Sequence, residues 1–332
     1  MFKVVLAGSV ASSRATLEKL IEHGMLIVGV LGLEPANAAS VSGHVRLDDV
    51  CAKHRIPYLG FQKINSPEVT EQLRAWAPDL FFVVGLSQLV GKPLLGIPKR
   101  ACVGFHPTKL PAGRGRAPLA WLVMETKQGA ANFFEMGEGT DDGPILVQET
   151  FEVTTEDNAG SVAEKINQAI KQALDHWLPR LKTGEWTPRQ QDHSLASWYG
   201  KRAPEDGWID WSASADSIDR LIRASSSPHP GAYTFWGEQK LLIWQSSPER
   251  KLRYRGVTGR LLLADKKKGL LVQTGSGLIW INQIENSQRQ TVDLKVGDRL
   301  GFYAEAEIHA LKNEIKQLKA ILNERSDYRA PS

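Results

Sequence analysis

Two short segments carry side chains suited to proton transfer and charge stabilisation. The first runs from Gly104 to Trp121. There His106 follows an apolar run, Pro107 comes directly after it, and Arg114 and Arg116 lie in a loop with Gly113 and Gly115. A histidine at a strand end suits proton transfer near neutral pH. Guanidinium forks suit carboxylate or phosphate. The second segment runs from Gly139 to Gln148 and sets the adjacent carboxylates Asp141 and Asp142 before the turn residues Gly143 and Pro144. Taken singly, a structural histidine and a turn-forming aspartate are the ordinary readings. Taken together they are an acid–base pair if the fold makes them meet.

The elements that must position them alternate between strand and helix. Val4–Ala7 is a short apolar strand ending at Gly8 and Ser9, and Leu17, Leu20 and Ile21 recur at helical spacing until Gly24. Leu26–Leu31 is a second strand. Leu47, Val50 and Cys51 mark a helix, Pro67 opens another, and Leu80–Val84 is a third strand. Strands that are apolar throughout, in β-α-β-α-β order, predict a Rossmann-like, doubly wound parallel sheet of the α/β class, with ligands at the carboxyl edge. Ala101–Phe105 is a further strand that delivers His106 to that edge, and Pro107 is expected to stop it. Pro118 suits the first turn of a following helix. Gly160–Leu181 is a long amphipathic helix that should close a first domain, residues 1–182.

Residues 183–205 are polar and contain Pro188 and Pro204, as a linker would. Brief strands over Ala232–Phe235, Lys240–Trp244, Gly256–Leu263, Gly269–Thr274 and Gly277–Ile281 predict a small OB-like β-barrel within residues 206–302. The tail, residues 303–325, is an amphipathic helix. Ile308, Leu311, Ile315, Leu318 and Leu322 form a seam of roughly 2.5 heptads that packs either on the chain itself or on a second copy.

At 332 residues the chain holds more than one domain, and its 42% hydrophobic and 23% charged residues are those of a globular protein. A formal charge of +4 fits anionic ligands without pointing to nucleic acid. Cys51 and Cys102 read as buried thiols, so a cytoplasmic setting is expected. No secretory signal is visible and no apolar run approaches the ~20 residues that span a bilayer, so no membrane association is expected. The eight histidines lack paired ligand spacing, and no metal site is expected.

Three blocks together resemble the folate-dependent formyltransferase family. They are His106-Pro107 through Arg114-Gly115, then Asp141-Asp142-Gly143-Pro144-Ile145-Leu146, and a C-terminal set of Tyr199–Arg202, Ile209–Trp211 and Pro230–Ala232. The resemblance implies transfer of a formyl group from the cosubstrate N10-formyltetrahydrofolate to an amine through a tetrahedral intermediate. It implies that His106 assists at the oxyanion or relays a proton, and that Asp141 orients and stabilises it. It also places the pterin along Gly85, Leu86, Ser87, Gln88 and Leu89, with Arg114 and Asp142 nearby, and the acceptor near Ser9, Gly104 and Arg116.

One position departs from the family. Its transferases carry Asn two residues before the histidine, as an oxyanion donor, and here that residue is Gly104. Loss of one such donor costs about 100- to 1000-fold in rate. Three explanations compete: another group such as Asn132 supplies the donor, the chemistry is folate hydrolysis, or catalysis is impaired and the chain is a binding member. For the acceptor, the stretch from Glu34 to Asp49 holds one cation, Arg46, against Glu34, Asp48 and Asp49, a poor clamp for tRNA phosphates. The runs Arg114–Trp121 and Tyr199–Asp206 look most like amino-arabinose formyltransferases. A nucleotide-linked amino sugar is therefore the expected partner, ahead of folate hydrolysis and of methionyl-tRNA. A homodimer is the default that the resemblance implies.

Overall fold

The computed structural model describes residues 2–34 and 41–327. It separates into two compact units, the first comprising Met1–Gly207, Asp219–Ala232 and Trp244–Ser246, the second Trp208–Ile218, Tyr233–Ile243 and Ser247–Ser332.

The first unit begins β1 (Lys3–Gly8), α1 (Ala11–Glu22), β2 (Leu26–Leu33), α2 (Asp48–His54), β3 (Tyr58–Phe61), α3 (Pro67–Trp76), β4 (Leu80–Val84). It continues α4 (Lys92–Leu95), β5 (Ala101–Thr108), β6 (Arg114–Gly115), α5 (Pro118–Glu125), β7 (Gly129–Glu135), β8 (Ile145–Phe151), α6 (Ala159–Lys182) and β9 (Trp198–Tyr199). Seven strands form one sheet in the order β3-β2-β1-β4-β5-β7-β8. The first five are mutually parallel, and β7 and β8 join antiparallel. The order reverses between β1 and β4, the place where doubly wound sheets open a crevice for ligands. Both faces are covered, which explains strands with no polar residue. On β4, Leu80, Phe82 and Val84 pack with α1 and α6, while Phe81 and Val83 face the layer holding Val69 and Leu73 of α3.

Pro107 does not stop β5. The strand runs on to Thr108, and the β5–β7 register shifts between His106 and Thr108. A residue without an N–H is tolerated in a ladder where the pairing is already irregular. Residues 183–205 are not a free linker either. Arg189 bridges Ile145, and β9 pairs in parallel with β6, so this stretch belongs to the first unit.

The chain then forms α7 (Ala215–Ser225) and the strands β10 (Ala232–Trp236), β11 (Gln239–Glu249), β12 (Leu261–Asp265), β13 (Gly269–Gln273) and β14 (Leu278–Asn286). They make a five-stranded sheet ordered β10-β11-β14-β13-β12, the small C-terminal β-domain anticipated from the turn spacing. Helix α8 (Ala304–Asp327) ends the described chain. Among the described residues no helix is long and apolar enough to cross a membrane.

Helix α6 is fixed at its start by Asp157. Burial opposes the charge on Asp157, but the Lys165 ammonium at 2.6 Å, the Thr154 N–H and the Ser161 hydroxyl outweigh it and hold the carboxyl at about 2. A carboxyl depressed on folding stabilises the fold above its unfolded pKa, near 3.8, and that contribution fades as pH falls toward 2. Asp157→Asn is therefore expected to lower unfolding free energy above about pH 4 and to converge on the parent as pH approaches 2. Urea titrations of both proteins across that range check this. A gap independent of pH would remove the carboxylate from the account.

Candidate active site

The parallel β4–β5 register pairs Val83 with Gly104, so β5 overshoots β4 and carries His106 past the carboxyl edge. The antiparallel β7–β8 hairpin brings back the loop that holds Asp141. The two side chains meet, with His106 Nδ1 3.3 Å from Asp141 Oδ2. His106 is 4% exposed, and its Nε2 lies 2.8 Å from the Gly113 carbonyl oxygen. Both ring nitrogens thus face acceptors. A neutral imidazole donates to one of them, and an imidazolium donates to both. Asp141 adopts φ +51°, a left-handed backbone that aspartate tolerates better than most residues. Its Oδ2 also accepts the Gly115 N–H at 2.8 Å, while Oδ1 makes no hydrogen bond among the described residues.

The frame behind this pair comes from the stretch expected to be a linker. Gln191 is buried, and its amide donates to the Asp141 and Gly143 carbonyls at 2.9 and 2.7 Å. Its Oε1 accepts from Arg114 Nη2 at 2.8 Å, and the same nitrogen lies 3.1 Å from His193 Nδ1. Ser197 Oγ accepts the Gly113 N–H at 2.9 Å. One connected network therefore holds the carbonyl that faces His106 and the backbone that carries Asp141. Arg114, 3% exposed, braces that network through Nη2, while its buried Nε has no hydrogen-bond partner among the described residues. Nothing in the sequence marked Gln191, a lone amide in a polar run.

Asn132 sits opposite His106 in the β5–β7 register and is fully buried. Its Nδ2 faces the carbonyls of His106, Thr108 and Ala130, and its Oδ1 accepts from Gln148 at 2.6 Å. Both amide hydrogens are spent on backbone, so Asn132 holds β5 in place and has no donor left for an oxyanion. The space of the absent family amide is also filled. A Cβ on Gly104 would lie 2.7 Å from Phe134 Cζ and 2.8 Å from Met136 Cγ. Phe134 occupies the volume that a side chain at 104 would need.

The remaining expected residues divide by place. Ser9 and Gly85 lie side by side at the carboxyl ends of β1 and β4, where the buried Ser9 hydroxyl donates to the Gly85 carbonyl at 3.2 Å. That bond occupies the hydroxyl's one proton, so Ser9 has none for a phosphate in this arrangement. Leu86 packs against the core, and Ser87 is exposed. Gln88 is tied to Gln62 and Ile64, and the Leu89 carbonyl accepts from Asn65. The loop 85–89 is thereby pinned to residues 62–65, with the Leu89 side chain open to solvent. The Asp142 carboxylate folds over Gly139, where a Cβ would lie 1.8 Å from Oδ2. Arg116 is exposed. Burial pushes the Cys51 and Cys102 thiols up to about 12, so neither competes as a nucleophile. Among the described residues no cluster of His, Cys, Asp and Glu could hold a metal ion.

A Rossmann-like sheet with an imidazole–carboxylate pair beyond its carboxyl edge makes this an α/β protein with a candidate acid–base site. The family model described as formyl transferase matches residues 6–178, and that for its C-terminal domain matches residues 201–296. A methionyl-tRNA formyltransferase of Geobacter metallireducens is 30% identical over 304 residues, covering 90% of this chain and 96% of the relative. The chain belongs to the formyltransferase family, whose formyl donor is N10-formyltetrahydrofolate. Two solved structures share the fold at low identity. HypX from Aquifex aeolicus, in complex with tetrahydrofolic acid, has a TM-score of 0.62 at 18% identity over 86% of this chain, which spans 44% of that protein. The N-formyltransferase from Helicobacter canadensis, in complex with folinic acid and dTDP-3-aminofucose, has a TM-score of 0.60 at 14% identity, covering 85% of this chain and 99% of that one.

The Gly104–Phe134 packing gives a stability prediction. Gly104→Asn forces the Phe134 ring aside and is expected to destabilise by about 1–3 kcal/mol, the usual cost of overpacking. Adding Phe134→Ala should relieve the ring's part of that clash, Met136 Cγ remaining close, so the two substitutions combine non-additively in a thermal or urea double-mutant cycle. Strict additivity would mean that the two positions do not share space.

Proposed function

We propose that this protein transfers a formyl group from N10-formyltetrahydrofolate to the amine of a nucleotide-linked amino sugar, working in the cytoplasm. The observation that carries the chemistry is the His106–Asp141 pair at the carboxyl edge. The bound folate supplies an electrophilic formyl carbon. As the amine attacks, charge grows on the formyl oxygen and the amine loses a proton; collapse of the tetrahedral adduct then breaks the formyl C–N10 bond, and that proton passes to N10 of the departing tetrahydrofolate. Asp141 holds His106 through Oδ2, and its unengaged Oδ1 is the base open to the amine. His106 Nε2–H, exchanging the Gly113 carbonyl for the formyl oxygen, is the donor that replaces the absent amide at 104. The pterin lies along the loop 85–89, beside the opening between β1 and β4.

The acceptor class rests on charge. Between Glu34 and Asp49 the one cation, Arg46, is paired with Asp48 at 2.7 Å and Glu34 at 3.3 Å. Residues 35–40 of that stretch lie outside the described residues and contain no Lys or Arg. This segment offers no free positive charge to nucleic-acid phosphates. The amino-sugar reading also draws on the likeness of Arg114–Trp121 and Tyr199–Asp206 to amino-arabinose formyltransferases. Methionyl-tRNA is the second reading, because relatives 30% identical along nearly the whole chain carry that name.

A direct assay separates them. The protein is incubated with N10-formyltetrahydrofolate and either dTDP- and UDP-linked amino sugars, methionyl-tRNA, or no amine, and tetrahydrofolate release is followed. Release only with a sugar is expected. Release only with methionyl-tRNA transfers the proposal to the second reading, release without amine identifies hydrolysis, and no release ends the catalytic reading. His106→Ala and Asp141→Asn are each expected to cut turnover at least ~100-fold while folate binding, read by calorimetry, is kept. Near-normal turnover in either would take that residue out of the reaction.

A further inference from the structure

We propose that α8 pairs with α8 of a second copy as a parallel two-stranded coiled coil. Every residue from Glu307 to Leu322 is exposed, and Ile308, Leu311, Ile315, Leu318, Ile321 and Leu322 show between 49% and 64% of their surface. Among the described residues the helix therefore buries its apolar stripe on nothing. The stripe has the period of a coiled-coil seam. With Ile308 at position a, the a positions hold Ile308, Ile315 and Leu322 and the d positions hold Leu311 and Leu318. β-Branched residues at a with leucine at d favour two parallel strands over three or four.

The flanking charges name the occupant. Position g holds Glu307, Glu314 and, in the last turn, Ile321, and position e holds Lys312 and Lys319. In a parallel pair, each g residue faces the e residue five positions on in the other helix. Glu307 then meets Lys312 of the second copy and Glu314 meets Lys319 of the second copy, and twofold symmetry doubles both contacts. An antiparallel pair would set Glu against Glu and Lys against Lys. His309 and Asn313 interact with each other on the outer face, away from the seam. The seam, the residue types and the charges thus fit a second copy of this chain.

The test uses the full chain and sedimentation across a concentration series. A reversible monomer–dimer equilibrium is expected, and Ile315→Asp with Leu318→Asp should leave a monomer at all concentrations. Charge reversal tests the pairing itself. Lys312→Glu with Lys319→Glu makes both flanks acidic, and Glu307→Lys with Glu314→Lys makes both basic. Each variant alone should be monomeric, and an equimolar mixture should form a heterodimer. Unchanged thermal unfolding of the tryptophan signal, to which residues of both units contribute, shows that the body stays folded, as expected for substitutions at exposed sites. A monomeric parent, a dimer that survives the seam substitutions, or two charge variants that still pair with themselves would each overturn the proposal.

Discussion

The antiparallel register between β5 and β7 is the constraint on which the site depends. It sets His106 opposite Asn132 and Gly104 opposite Phe134. The first pairing lets a buried amide clamp the β5 carbonyls on either side of the irregular step at Pro107. The second puts an aromatic ring over a residue with no side chain. The hairpin that follows returns Asp141 to the imidazole. A one-residue slip would turn each of these side chains to the opposite face of the sheet and dissolve the pair.

Much of this was legible in the residues. Continuous apolar strands separated by amphipathic helices named the covered parallel sheet, because a strand packed on both faces has no polar position to show. His106 and Asp141 stood out through Gly, Pro and Asp, residues whose backbone preferences mark a strand end and a tight loop. Other features depend on partners distant in the chain and leave no local trace. Asn132 reads as a free amide until β5 supplies its carbonyls. Arg114 reads as a surface cation until Gln191 and His193 cover it. The stretch after α6 reads as a linker because most of its polar side chains are exposed, while Gln191 alone among them is buried and bonds distant backbone carbonyls. Pro107 misleads for a related reason: it forbids one hydrogen bond, and the ladder is irregular at just that residue.

The site has exchanged one kind of interaction for another. Where the wider family places a polar donor, this chain packs Phe134 and Met136 against Gly104. The aromatic contact makes that corner of the candidate site apolar.

The two family matches stop at residue 178 and resume at residue 201, yet Gln191, His193 and Ser197 fall in the interval and hold the segments that carry Gly113, Arg114 and Asp141. Modular boundaries drawn from sequence families thus cut through the working part of this molecule. A chimera that joins a foreign C-terminal domain directly after α6 would receive His106 and Asp141 but not the scaffold that aligns them. Recombination that respects function must keep the chain intact through Gly200, where β9 has just closed against β6.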